Sequence, residues 1–132
     1  MFKVRMIAVG SLKKGPEFDL YHMYAKRLKC SFHLIEIKDG KDFSKHITSK
    51  DYVMACDEHG SMVTTMDLYQ DIINYSPTFL IGDADGFPDN LPCHKKIALG
   101  AVTWPHLLVR SLLVEQIYRC QQIFQNHPYH RA

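Results

Sequence analysis

The chain has 132 residues, 46% of them apolar and 23% charged, with a net charge of +2 and a mean hydropathy of −0.20. That length fits one domain spanning residues 1–132 and is too short for two full cores. No apolar run approaches the ~20 residues a membrane helix needs, and the opening Met1-Phe2-Lys3-Val4-Arg5-Met6 lacks the apolar core of a secretory leader. The expectation is a cytoplasmic protein with no membrane partner.

In chain order, Lys3–Val9 alternates and then turns apolar, which predicts a first strand ending at Gly10. Pro16 suits the first turn of a helix, with Glu17 and Asp19 on the favourable side of its dipole. Phe32–Ile37 reads as a second strand, and Phe43–Lys50 as a short helix after the Asp39-Gly40 break. Asp51–Cys56 reads as a third strand with Asp57-Glu58-His59-Gly60 as its exit loop. Thr64 or Thr65 caps the next helix, whose inner face is assigned to Met66, Tyr69, Ile72 and Ile73 before Pro77 ends it. Thr78–Ile81 is a compact apolar strand leading into Gly82-Asp83-Ala84-Asp85-Gly86. A short helix near Leu91–Ile97, a strand over Ala98–Thr103 and a long helix complete the chain. In that last helix Val109, Leu113, Ile117, Cys120 and Phe124 recur at three- and four-residue steps.

Alternating strands and helices without repeats predict an α/β protein with a mostly parallel sheet. Ligands of such sheets sit beyond the carboxyl ends of the strands. Three exits collect small or reactive residues there: Cys56–Gly60, Gly82–Gly86 and Gly100–His106. The chain has neither a GxGxxG after the first strand nor a GxxxxGK[ST], which removes support from dinucleotide and P-loop readings. The four cysteines lack paired spacing and read as mostly buried thiols rather than a disulfide frame or zinc site. His127 and His130 have no further ligands spaced to complete a shell, so no metal is expected. Charge is unevenly spread. Residues 1–50 hold 11 Lys/Arg against 5 Asp/Glu, and residues 51–100 hold 2 against 8. A basic N-terminal portion facing a polyanion and a solvated lysine-rich surface both fit this.

Several motifs occur in order: Ala8-Val9-Gly10, Leu34-Ile35-Glu36-Ile37, Leu80-Ile81-Gly82 with Gly86, Thr103-x-Pro105-His106-x-x-x-Arg110, Glu115-Gln116-x-Tyr118-Arg119 and Asn126-His127-Pro128-Tyr129-His130-Arg131. Together they resemble the RlmH family of SPOUT-class methyltransferases, over nearly the whole chain and most specifically in the last thirty residues. The resemblance implies a SPOUT fold with a C-terminal trefoil knot holding S-adenosylmethionine. It implies methylation of N3 of a pseudouridine in large-subunit (23S) ribosomal RNA, on the assembled ribosome, with no metal. It implies a homodimer in which the partner's tail completes the site. Carried over by position, cofactor contacts fall on Cys56 (usually Leu), Gly82, Leu99, Gly100, Ala101, Val102, Thr103 and Trp104. His130, with Tyr129 beside it, is the candidate for proton acceptance or nucleotide positioning, and Arg131 and Arg110 for RNA phosphates or the target base. One position departs from the family's Gly-Gly-x-x-Gly: Asp83 stands where the second glycine is usual, where positive φ would be costly and its charge would lie near the cofactor. That departure motivates the alternative, a catalytically degenerate dimeric RNA-binding or ribosome-associated module. A flavodoxin-like small-ligand binder accounts for the alternation but leaves the tail without a role.

Overall fold

The computed structural model describes residues 1–131. Its centre is a five-stranded sheet in which every pairing is parallel: β1 (Lys3–Val9), β2 (Ser31–Ile37), β3 (Val53–Met62), β4 (Thr78–Ile81) and β5 (Lys95–Ala98), in the spatial order β2-β1-β4-β3-β5. The sheet is buried on both faces at β4, whose residues Thr78, Phe79, Leu80 and Ile81 are all sequestered. Parallel strands carry this continuous apolar pattern because crossovers must cover them. All three α-helices pack on one face: α1 (Pro16–Ala25), α2 (Thr65–Tyr75) and α3 (His106–Phe124). There Met6, Met54, Phe79, Leu113 and Ile117 share one core. The opposite face is closed more thinly, by a 3-10 turn at Gly40–His46 carrying Phe43 and by the loop bearing Phe87. Among the described residues no helix is long and apolar enough to cross a membrane.

The first two strands, the Pro16 helix start, β4 and the long helix lie where the residue pattern places them. Thr64 is the cap of α2 and forms a reciprocal box with Asp67, an arrangement that stabilises a helix start by about 1 kcal/mol. Four expectations are corrected. The α2 inner face is Leu68 and Ile72, with Tyr69 half-buried, whereas Met66 and Ile73 point outward and are 42% and 38% exposed. A 3-10 turn capped by Asp39 replaces a helix over 43–50, because the Asp39 carboxylate accepts the Lys41 N–H and starts the turn early. The segment 88–94 is loop, not helix: only a Pro88–Leu91 turn forms, and the His94 N–H is taken by the Val53 carbonyl of β3 at 2.8 Å, which draws the chain into the sheet.

The final strand therefore occupies Lys95–Ala98, and Leu99–Thr103 is released as a loop, with Gly100 at φ +105 turning the chain away. The fourth correction concerns Asp57–Gly60. β3 runs straight through it, but the pairing with β5 slips there, so that Cys56 and Ser61 both face Ile97. The intervening residues bulge out of the ladder. Gly60 makes this possible, since a Cβ there would lie 2.6 Å from the Lys96 carbonyl carbon.

Candidate active site

Because all five strands run the same way, their exits open on one end of the sheet. Those of β3, β4 and β5 surround a cleft of about 570 Å³, within the range of small-ligand sites. The β3 bulge, the Gly82–Gly86 loop and the loop leading into α3 form its walls, which are the three exits singled out from the sequence. At the Gly82 loop an added Cβ would sit 2.8 Å from the Gly86 carbonyl oxygen, so the backbone itself lines the cleft there. The loop is a closed turn. The Gly86 N–H donates to the Asp83 carbonyl at 3.0 Å and the Asp85 N–H to the Asp83 carboxylate at 2.9 Å. Positive φ falls on Gly86 (+76), not on Asp83. The carboxylate therefore stands where the family's second glycine is usual without the backbone strain expected of it.

The opposite wall is the 99–105 loop. The Trp104 indole N–H donates to the Leu99 carbonyl at 2.8 Å and folds the loop on itself. The Thr103 hydroxyl bonds the Glu58 carboxylate and ties that loop to the β3 bulge. Of the eight residues assigned to cofactor contact, Cys56, Gly82, Leu99, Val102, Thr103 and Trp104 line the cleft. Gly100 and Ala101 are exposed at the bend between lining residues. Burial pushes the Cys56 thiol up to about 12, so it acts as a neutral wall and not as a nucleophile. Asp57, Glu58, Asp83 and Asp85 contribute carboxylates, while no Lys or Arg is among the lining residues. Such a cleft suits a ligand with a cationic centre.

The four candidate catalytic residues lie elsewhere, on α3 and beyond it. Arg110 is 1% exposed. Its Nη1 meets the Glu36 carboxylate at 2.5 Å and its Nη2 donates to the Gly10 carbonyl at 3.2 Å, while Nε has no partner among the described residues. Glu36 also accepts the Leu12 N–H at 2.8 Å. Arg110 therefore braces the β1 exit loop against α3 instead of presenting a charge to solvent. The buried guanidinium thus makes the partly exposed Glu36 an anchor for α3.

The tail turns back on α3. Asn126 takes the left-handed conformation (φ +59) after the last helical turn, and the His127 N–H reaches the Gln122 carbonyl at 2.9 Å. This returns Tyr129 and His130 to α3. The Tyr129 hydroxyl donates to Glu115 Oε1 at 3.0 Å, which also accepts Arg119 Nε and Nη2 at 3.0 and 2.6 Å. The Arg119 guanidinium covers the Tyr129 ring at 4.8 Å and approaches His130 Nδ1 at 3.3 Å. Since arginine only donates, Nδ1 is the acceptor and the remaining proton of a neutral His130 sits on Nε2. Burial, then the bond to Glu115, raises the Tyr129 phenol to about 12, so it stays protonated at neutral pH. Arg131 is exposed, and none of these three residues lines the cleft. Glu115 does line a second hollow of about 250 Å³ that shares Leu99 and Trp104 with the cleft wall. Sequence reading missed Glu115 and Arg119 as tail anchors, although their i,i+4 spacing was a usable signal.

A parallel α/β sheet with a glycine-lined cleft at its strand exits defines the α/β class whose ligands bind at the carboxyl ends of the strands, and comparison with known families makes it specific. The family model described as Predicted SPOUT methyltransferase matches residues 2–130, and the chain belongs to that family. It is 36% identical over 151 residues to a protein of Rhodospirillum rubrum, covering 98% of this chain and 99% of the relative. It is 34% identical to a protein of Gluconacetobacter diazotrophicus (98% and 97% covered) and 34% to one of Zymomonas mobilis (98% of each). All three relatives carry the name ribosomal RNA large subunit methyltransferase H.

Proposed function

We propose that this protein transfers the methyl group of S-adenosylmethionine to N3 of a pseudouridine in large-subunit (23S) ribosomal RNA, acting on the assembled ribosome as a homodimer. The observation that carries the reading is the cleft: six residues assigned to the cofactor by resemblance meet around one acidic, glycine-lined space. The methyl donor brings a sulfonium cation and supplies an electrophilic methyl group. Asp57, Glu58, Asp83 and Asp85 favour that positive charge, and Leu99, Val102 and Trp104 offer apolar surface to its adenosine. The knot of the family remains part of this proposal. It is supported by β4 inserting between β1 and β3, and by α3 then packing against both α1 and α2.

The acceptor is an imide nitrogen that must lose its proton. Tyr129 is held protonated and serves poorly as the base that takes it. A neutral His130 presents its Nε2–H, which suits donation to a base carbonyl and so favours positioning over proton abstraction. Arg131, exposed at the end of the described chain, fits an RNA phosphate. Arg110 enters the proposal as a positioning residue through Gly10 and Glu36. The tail avoids its own cleft, which supports a composite site completed by the partner's tail. Met62, Met66, Val102 and Trp104 are exposed, Trp104 also lining the second hollow, and offer apolar surface for that dimer. The degenerate-module reading is motivated by Asp83; the backbone there avoids positive φ, which answers one of its two grounds, and the other is the charge that Asp83 brings to the cleft.

The direct test is calorimetric titration with S-adenosylmethionine. Wild type should bind, and Gly82→Leu should lose at least about 100-fold in affinity, ~2.7 kcal/mol, with an unchanged circular dichroism spectrum. Unchanged affinity in the variant would remove the cleft from the cofactor site.

A further inference from the structure

The strand exits divide into an acidic half and a lysine-bearing half, the latter also holding Asp39, which caps the Lys41 N–H, and Asp42, which pairs with Lys45. Over β4, β3 and β5 lies the acidic cleft. Over β1 and β2, at the same end of the same sheet, Lys13 and Lys14 occupy the loop after β1, and Lys38 and Lys41 the segment after β2. All four are exposed, and none pairs with a carboxylate among the described residues. Neighbouring strands lie about 4.8 Å apart, so this basic rim starts one strand away from the cleft.

Both basic loops are braced to the cleft by contacts that fix their distance from it. The Lys13–Lys14 loop is pinned at its start: Leu12 N–H bonds Glu36, and the Gly10 carbonyl takes Arg110 of α3, next to the cleft residue Val109. The Lys38–Lys41 segment leans on the loop that follows Gly86. Gly40 faces Pro88, where an added Cβ would lie 3.6 Å from the proline ring, and Phe43 packs on the cleft residue Phe87 at 5.5 Å between ring centres. An unpaired basic rim held at fixed distance from an acidic cleft is suited to a polyanion one of whose units must enter that cleft. The carboxylates repel phosphates from the cleft itself and leave the rim as the place for them.

We infer that Lys13, Lys14, Lys38 and Lys41 form the surface that grips the phosphodiester backbone of the RNA substrate and sets the target nucleotide over the cleft. This rests on the methyltransferase reading for the identity of the substrate, but not for the charge recognition itself. Four further lysines offer a matched comparison. Lys3, Lys26, Lys29 and Lys50 are also exposed, near the opposite end of the sheet, where strands begin and α1 ends.

The test measures binding of a fluorescein-labelled hairpin of large-subunit RNA, and of ribosomes, to three full-length proteins. These are wild type, a variant with all four rim lysines replaced by Gln, and one with Lys3, Lys26, Lys29 and Lys50 replaced by Gln. The two variants have the same net charge. The rim variant should bind at least about tenfold more weakly, and its slope of log affinity on log salt should fall by about 3. Its affinity for S-adenosylmethionine and its melting temperature should stay those of wild type, and the opposite-end variant should bind RNA within about twofold of wild type. Equal weakening in both variants, or none in the rim variant, overturns the inference. Cofactor binding by wild type is read separately. Its absence would sink the methyltransferase reading, while the RNA affinities would still decide the rim.

Discussion

Helix α3 carries an arginine paired with a glutamate near each end, Arg110 with Glu36 of β2 and Arg119 with Glu115 of the same helix, and the two pairs behave differently. Near the amino end Arg110 is wholly buried and its charge is consumed by Glu36 and the Gly10 carbonyl. Near the carboxyl end the Arg119 and Glu115 side chains keep 25% and 15% of their surface, and they hold a tyrosine, and through Arg119 a histidine, of the tail. The buried guanidinium of Arg110, if its partner is lost, is left as an uncompensated charge, so that pair acts as architecture. The Arg119–Glu115 pair, with both side chains partly exposed, costs less to rearrange and holds the tail without fixing the core. The chemical distinction between the ends of the helix thus comes from burial, since the residue types are the same.

The comparison breaks most severely at Glu36. Glu36→Ala strands the Arg110 guanidinium in the core and should cost about 3 kcal/mol in urea unfolding. Arg110→Ala should cost less, because the Glu36 side chain is 35% exposed and water compensates the carboxylate left behind. If the two losses are equal, burial is not what separates them. At the other end Tyr129→Phe removes one bond to Glu115 and should cost only about 1 kcal/mol. Methyl transfer should nevertheless fall by about tenfold or more, with cofactor affinity unchanged, because that bond positions His130. A Tyr129→Phe enzyme with full turnover would make the tail network purely structural.

A further effect is alkaline. Tyr21 and Tyr129 both titrate near 12 in the folded chain against 10 for free tyrosine, mainly through burial. The folded state therefore holds these protons more tightly than the unfolded one. Their contribution to stability is complete below pH 10 and is lost as pH climbs from 10 toward 12. Phenolate absorbance at 295 nm checks this: Tyr129→Phe should remove one late-titrating phenol. Disappearance of an early one instead would contradict the Glu115 contact.

The parallel sheet, the long helix and the three converging exits were legible because each is written in local pattern: apolar runs bounded by glycines, a 3.6-residue period and Pro16 at a helix start. β5 was misplaced because Leu91–Ile97 has no periodicity that separates a short helix from a loop and an edge strand. Only pairing with β3 settles it. The β3 bulge was read as a loop since its glycine and charges are turn-like, and the reason for Gly60, contact with β5, is long-range. The residues assigned to the cofactor came from ordered motifs, and six of the eight line one cleft. The burial of Arg110 could not be read, because an arginine at that spacing looks equally like an RNA contact until Glu36 is found 74 residues away.

Methylation of the substrate itself tests the central claim most directly. Ribosomes lacking the modification would be incubated with the purified protein and methyl-labelled S-adenosylmethionine, and the label mapped by mass spectrometry. The account predicts label on N3 of a single pseudouridine in the large-subunit RNA. Cofactor binding of normal strength with no label on that RNA would contradict it.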